Sequence, residues 1–338
     1  GGGRDLTGEG GDAETVAQAA DILLLFSHAD ETVASKMLVH AVLQDLLLVV
    51  QESTRFAPAT LLAVLKCLKN LSMGPSAHVL HLQRAGAVVT LVYFLDTVAD
   101  DAPYALEMRG QVLLSLYHLC KLNRLRQEQA VVCPPSKGIV PHLQEAVVRS
   151  THLKHVALPM LCDIARASKR SRTELWKYSG AGFYLELLAQ EAWRDDALEA
   201  LAAWLADEPR KVEAILEKPE SIRLLVEVLD TQTPATFENL LDSLKKILTA
   251  SSRVNQALGD SKFVPKLVER LTHPTPVIRV QLLRMLTSIY EHHREPKQLV
   301  MLHGLMRVVE RMIEHDKAVL VKEIAGQLQK AFKANAYL

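Results

Sequence analysis

The sequence predicts an all-α protein, a right-handed superhelical solenoid of about six to seven three-helix repeats, and three observations carry that prediction. The first is composition. Hydrophobic residues make up 49% of the 338 residues and aromatic ones only 5%, a Leu/Ala/Val-rich mixture with few Gly and Pro that favours helices over sheets. The second is a repeat. A short segment that opens on Gly or a polar residue and reaches a branched aliphatic five positions later occurs as GAVVTL from Gly86, GIVPHL from Gly138, GAGFYL from Gly180, ESIRLL from Glu220, KFVPKL from Lys262 and GLMRVV from Gly304, at offsets of 52, 42, 40, 42 and 42 residues. The third is phase. Before most of these starts ends a longer stretch, such as LKCLKNLS, LPMLCDIA, LEALAAWLA, DSLKKILT or RMLTSIYE, whose apolar positions fall three and four apart, as a helix burying one stripe requires.

Each unit therefore reads as a long helix, a short helix such as RTELWKYSG and a third helix such as FYLELLAQ. Three helices in forty-odd residues is the armadillo unit; the HEAT repeat, similar in length with two helices, is the neighbouring alternative. In chain order, residues 1–12 read as a flexible linker or expression remnant, 13–55 as a divergent N-terminal repeat, 56–315 as armadillo repeats and 316–338 as a C-terminal capping helix. Caps are expected because an uncovered solenoid end exposes core. The 52-residue step coincides with VVCPPSKG, whose consecutive prolines break a helix and lengthen a loop. Pro141 and Pro265 fall near helix starts, whereas Pro159 should kink its long helix unless it lies in the first turn.

Several function classes find no support. Thirty-nine basic residues balance 39 acidic ones, so no global field draws the chain to nucleic acid or to an anionic membrane. Cys67, Cys120, Cys133 and Cys162 show no CxxC spacing and three lie in apolar helical runs, which points to a reducing, cytoplasmic setting without disulfides or zinc. No apolar run reaches bilayer-spanning length and the Gly-rich start lacks signal-peptide features. There is no GxSxG, no GxxxxGK[ST], no HExxH and no kinase motif set, so the expectation is a non-enzyme without cofactor. His78 and His81, three apart, could share a helix face but have no third ligand nearby to hold a metal, and the adjacent His292 and His293 at a helix end read as capping or surface residues.

A protein partner along a groove is the remaining class. In an armadillo stack the long helices line the concave face, and counting back from the repeat starts gives a ladder of Asn70, His118, Asp163, Trp204, Lys246 and Ser288, with Lys66, Leu114, Pro159, Ala200, Asp242 and Arg284 one turn earlier. Importin-type armadillo proteins repeat Trp and Asn at these places to hold basic peptides. Only Asn70 and one Trp remain here, which disfavours that ligand. Trp176, Trp193 and Trp204 also sit at apolar helical spacing, as core residues do. The strongest local charge lies in ARASKRSRTELWK, where Arg166, Lys169, Arg170, Arg172 and Lys177 oppose Glu174. Clustered guanidinium groups suit phosphate or carboxylate, so these five, with Lys246, Arg253 and Arg284 extending the track, are the expected contacts of a phosphorylated or acidic peptide. A solvated basic loop is the competing reading.

The segment ALPMLCDIARASKRSRTELWKYSGAGFYLELLAQEAWRDDALEALAAWLADEPRKVEAIL, with SSRVNQAL, SIYEHHREPKQLV and VKEIAGQLQKAF after it, resembles the C-terminal armadillo region of the fungal septation-initiation and mitotic-exit protein kinases and of plant MAP kinase kinase kinase epsilon. The resemblance is good from about Leu153 to Leu338 and looser before. The family's shared residues map onto Leu161, Cys162, Asp163, Ser168, Ser171, Arg172, Leu175, Trp176, Lys177, Trp193, Trp204, Ser252, Arg253, Tyr290, His292, Pro296 and Lys297. It implies a kinase regulatory region that directs the attached enzyme to a spindle-pole-body scaffold and supports self-association. Homodimerisation through a terminal unit or LVHAVLQDLLLVV, or an autoregulatory role in the same kinase, is the alternative, and a generic armadillo adaptor unrelated to kinases is a further one.

Overall fold

The computed structural model describes residues 7–336, apart from residue 30 and residues 232–233. Among the described residues there are 22 α-helices and no strand, and the chain divides into two compact units, 1–178 and 179–338.

Unit one contains α1 (Thr7–Ser27), α2 (Glu31–Lys36), α3 (His40–Gln51), α4 (Pro58–Ser72), α5 (Ser76–Arg84), α6 (Ala87–Thr97), α7 (Ala105–Cys120), α8 (Arg124–Val131), α9 (Val140–Arg149), α10 (Thr151–Ala167) and α11 (Lys169–Leu175). Unit two contains α12 (Gly180–Leu188), α13 (Arg194–Asp207), α14 (Pro209–Leu216), α15 (Pro219–Val228), α16 (Pro234–Ala250), α17 (Ser252–Gly259), α18 (Phe263–Arg270), α19 (Pro276–His292), α20 (Pro296–Leu302), α21 (Leu305–His315) and α22 (Val319–Ala336). The order is long, short, middle throughout, with α22 as a last long helix. Long helices pack on long helices: α1 on α4, α4 on α7 and α7 on α10 in unit one, α13 on α16, α16 on α19 and α19 on α22 in unit two.

The core follows the helical stripe. α10 buries Val156, Ala157, Met160, Leu161 and Ile164, and α16 buries Phe237, Leu240, Leu241, Leu244, Ile247 and Leu248. These positions recur at helical spacing, with Glu238, Asn239, Asp242 and Lys246 of α16 on the exposed side. Pro159 stands mid-helix in α10, where its missing N–H removes one bond of the ladder. Pro141 opens α9 and Pro265 lies in the first turn of α18, where no partner is needed.

The recurring glycine has a conformational cause. Gly86, Gly138, Gly180 and Gly304 all have positive φ and reverse the chain between a short helix and a middle one, a conformation that favours glycine. At Gly138 a Cβ would also lie 2.2 Å from the Val131 carbonyl oxygen. Residues 1–6 of the expected linker lie outside the described residues; Thr7 already belongs to α1.

A second device repeats at the long-to-short corners. The side chains of Asn123, Ser168 and Ser251 accept from the N–H groups of Arg126, Ser171 and Val254 at 3.0, 3.1 and 3.1 Å, capping α8, α11 and α17. Four residues after each cap a buried polar side chain reaches back to the end of the preceding long helix. Gln127 donates to the Cys120 carbonyl at 3.0 Å, Arg172 to Ala165 at 2.5 Å and Asn255 to Leu248 at 2.5 Å. Each bond satisfies one of the last-turn carbonyls that a helix leaves unpaired.

Candidate functional site

The basic cluster is built on α10, α11 and the turn after them, all in unit one. Lys169, Arg170 and Lys177 are exposed. Arg166, half-buried, is paired with Asp163 one turn earlier, and Lys177 is 2.5 Å from Glu174. Lys169 has no carboxylate within ion-pair distance among the described residues, while the Arg170 guanidinium, 65% exposed, stands 3.7 Å from Glu128 of α8. Nothing in the linear sequence marks Glu128 as a neighbour of this cluster; only the packing of α8 on α11 brings it there.

Arg172 corrects the expectation. It is 6% exposed and its guanidinium caps α10 through the Ala165 carbonyl, because α11 turns Ser171, Arg172 and Leu175 inward. It is a structural residue and no part of the surface cluster. Three of the residues shared with the resembled family, Ser168, Ser171 and Arg172, thus belong to one capped corner.

The ladder residues divide in the same way. In unit one Lys66, Asn70, His118 and Asp163 are half-buried on successive long helices. Lys66 is 2.7 Å from Glu107 of α7, and Asn70 donates to Ser27 at 2.9 Å on α1. His118 lies edge-on to Tyr117, 5.3 Å between ring centres. Burial, followed by the charges of Lys121 and Lys69, holds its pKa below the ordinary imidazole value. In unit two Lys246 is exposed but 2.7 Å from Asp242. Arg284 and Ser288 line a cleft of about 400 Å³ between α19 and α22, with Glu291, Glu323 and Gln327. Arg253 is exposed in the first turn of α17.

Trp204 is the second correction. It is fully buried, packed edge-on against Tyr184 at 5.6 Å between ring centres, so it fills the core of unit two and lines no groove. Trp176 and Trp193 are half-buried.

The remaining chemistry is sparse. All four cysteines are buried thiols outside any disulfide; burial pushes the Cys67 thiol up to about 11 and that of Cys120 to about 12, which makes these two poor nucleophiles. His78 is buried, 3.0 Å from the Ser35 hydroxyl, and His293 is 3.1 Å from Asp260. Among the described residues no group of three or more His, Cys, Asp or Glu is placed to hold a metal, and no single helix is long and apolar enough to cross a membrane.

No family model matches the chain. The chain is 36% identical over 334 residues to MAP3K epsilon protein kinase 1 of Arabidopsis thaliana, covering 96% of this chain and 24% of that protein. Cytokinesis protein sepH of Aspergillus terreus is 35% identical over 345 residues, 99% of this chain and 25% of that one. Cell division control protein 7 of Schizosaccharomyces pombe is 28% identical over 322 residues, 94% and 29% respectively. The chain thus spans about a quarter of the length of the curated relatives it matches. Among solved structures, a designed armadillo repeat protein in complex with a (KR)4 peptide has a TM-score of 0.56 at 17% identity, covering 73% of this chain and 99% of its own. A β-catenin structure from a study of its phosphorylation-switched interaction with cadherin has a TM-score of 0.61 at 14% identity, covering 95% and 73%. These likenesses establish the armadillo fold. Over nearly its whole length the chain is homologous to the C-terminal, non-catalytic region of the MAP3K epsilon, sepH and cell division control protein 7 kinases.

Proposed function

We propose that the chain is the scaffold-binding region of a longer protein kinase, which it targets to the spindle pole body by holding a phosphorylated or acidic segment of a scaffold protein, so controlling mitotic exit and septation. The observation that carries this reading is the exposed trio Lys169, Arg170 and Lys177, of which Arg170 stands 3.7 Å from Glu128 and Lys177 2.5 Å from Glu174. Arginine and lysine donors left facing solvent suit phosphate or carboxylate oxygens. The names of the relatives, a cytokinesis protein and a cell division control protein, support the cellular role, and the peptide held by the designed armadillo protein is a precedent for the mode. Lys246, Arg253 and Arg284 are the secondary contacts of the same reading. It needs no cofactor and places the protein in the cytoplasm and at the spindle pole.

Calorimetric titration of the chain with spindle-pole scaffold peptides, phosphorylated and not, at two salt concentrations tests it. Tighter, salt-sensitive binding of the phosphorylated forms, lost in a Lys169→Glu/Arg170→Glu variant, is the expected result. Equal binding by all forms and by the variant refutes the assignment of the site.

Self-association is the second reading, favoured by the exposed Ile22, Leu25 and Phe26 of α1 and by Val39 and Leu48 around α3. A sedimentation mass that rises with concentration and stays monomeric in Leu25→Glu supports it; a concentration-independent mass for the unaltered chain removes it.

A further inference from the structure

The corner between α7 and α8 carries features that the three-helix repeat does not need. Leu122 lies in the left-handed region, φ 55°, where a leucine is strained and glycine sits without strain. None of the other long-to-short corners has a left-handed residue among the described residues. The strained side chain is not used for packing, since Leu122 is 90% exposed. One turn on, Leu125 is 77% exposed, while α8 turns Gln127, Ala130 and Val131 inward.

Cations adjoin the two leucines in the chain. Lys121 and Arg124 are exposed and have no carboxylate within ion-pair distance among the described residues; the Lys121 ammonium stands 6.0 Å from the centre of the Tyr117 ring. Across the groove between the short helices, Arg170 reaches Glu128. Glu128 lies one helical turn after Arg124 and Leu125, on the same face of α8. Arg170 therefore borders the same surface. Leu122, Leu125, Lys121, Arg124 and Arg170 share it with Glu128, and Asp163 lines a small cavity beside Tyr117 and Lys121.

We infer that this corner is a docking surface for an acidic segment of a partner protein that sets an aliphatic or aromatic side chain against Leu122 and Leu125. The inference rests on the scaffold-binding reading above and names the anchor that fixes its register. Charge complementarity selects the acidic partner, and the leucines select one with apolar side chains, because a purely ionic contact gives them nothing to bury. Two leucines beside Glu128 offer too little apolar area for anchoring on a bilayer.

The test titrates the chain with a fluorescent glutamate/leucine peptide with leucines at helical spacing, beside a glutamate/alanine peptide of equal charge and vesicles of phosphatidylserine. Leu122→Gly relieves the left-handed strain, so its melting temperature should equal or exceed that of the unaltered chain, while its affinity for the glutamate/leucine peptide falls about tenfold. Leu125→Gln should lower affinity alike, and neither variant should change the weaker binding of the glutamate/alanine peptide. Undiminished binding by both leucine variants overturns the inference. If Lys169→Glu/Arg170→Glu still weakens binding in that case, the scaffold reading survives; if it does not, both fall. Retention by vesicles in preference to peptide, failure of either peptide to bind, or a drop in the melting temperature of Leu122→Gly with unchanged affinity also overturns it.

Discussion

Lys169 and Arg172 stand three residues apart in one basic run and have opposite roles. Lys169 is exposed and has no carboxylate within ion-pair distance among the described residues, whereas Arg172 is buried and closes the end of α10. Arg172→Ala leaves the Ala165 carbonyl without this donor and should destabilise the fold by about 2 kcal/mol; Lys169→Ala should leave stability unchanged. Urea denaturation of both variants checks this, and equal midpoints contradict it. Charge counting along the sequence could not separate the two, because it ignores which way a helix turns each side chain. The position four after a capping serine faces inward, and the same spacing recurs from Asn123 to Gln127 and from Ser251 to Asn255, so the pattern was present in the sequence as a capping signal. Asp163, Lys246 and Ser288 each stand four residues before the end of their long helix, Trp204 three, and Asn70 and His118 two. Counting back from the repeat starts therefore does not keep one rotational phase, because one residue is about 100° of rotation, and it placed the fully buried Trp204 on the groove.

At the level of elements, the long-short-middle order was legible because apolar phase and turn residues agree along the chain. The repeat glycines mark left-handed turns, and the long step before Gly138 marks the loop after α8. What the sequence left out were contacts between elements far apart in the chain. Ser251 caps α17 and also donates to Glu213 of α14 at 2.6 Å. Ser251→Ala removes both bonds and should cost about 1–2 kcal/mol, more than Ser252→Ala, by thermal denaturation. Asp316 shows a similar coupling. It accepts from Arg279 of α19 at 2.8 and 2.9 Å and from the Ala318 amide at 2.9 Å, at the start of the turn into α22. Burial alone would raise its pKa, but these hydrogen bonds and the Arg279 charge hold it below the ordinary carboxylate value. Its folded pKa is thus lower than its unfolded one, so its contribution is complete above the unfolded value of about 3.9 and is lost as pH falls through the folded one. Asp316→Asn should be about 2 kcal/mol less stable near neutral pH and lose less stability on acidification. Parallel acid-denaturation curves for the two proteins contradict this.

For the whole molecule, composition and balanced charge give no support to a general electrostatic role, and the chain is homologous to a non-catalytic stretch, about a quarter of the length, of a set of kinases. On the scaffold-binding proposal its contribution to kinase action comes through binding. The most direct measurement is made on the full-length kinase carrying Lys169→Glu and Arg170→Glu, whose spindle-pole signal is imaged through mitosis while its phosphotransferase activity is assayed after isolation. Loss of the spindle-pole signal with unchanged activity is the predicted result. Undiminished localisation contradicts the account.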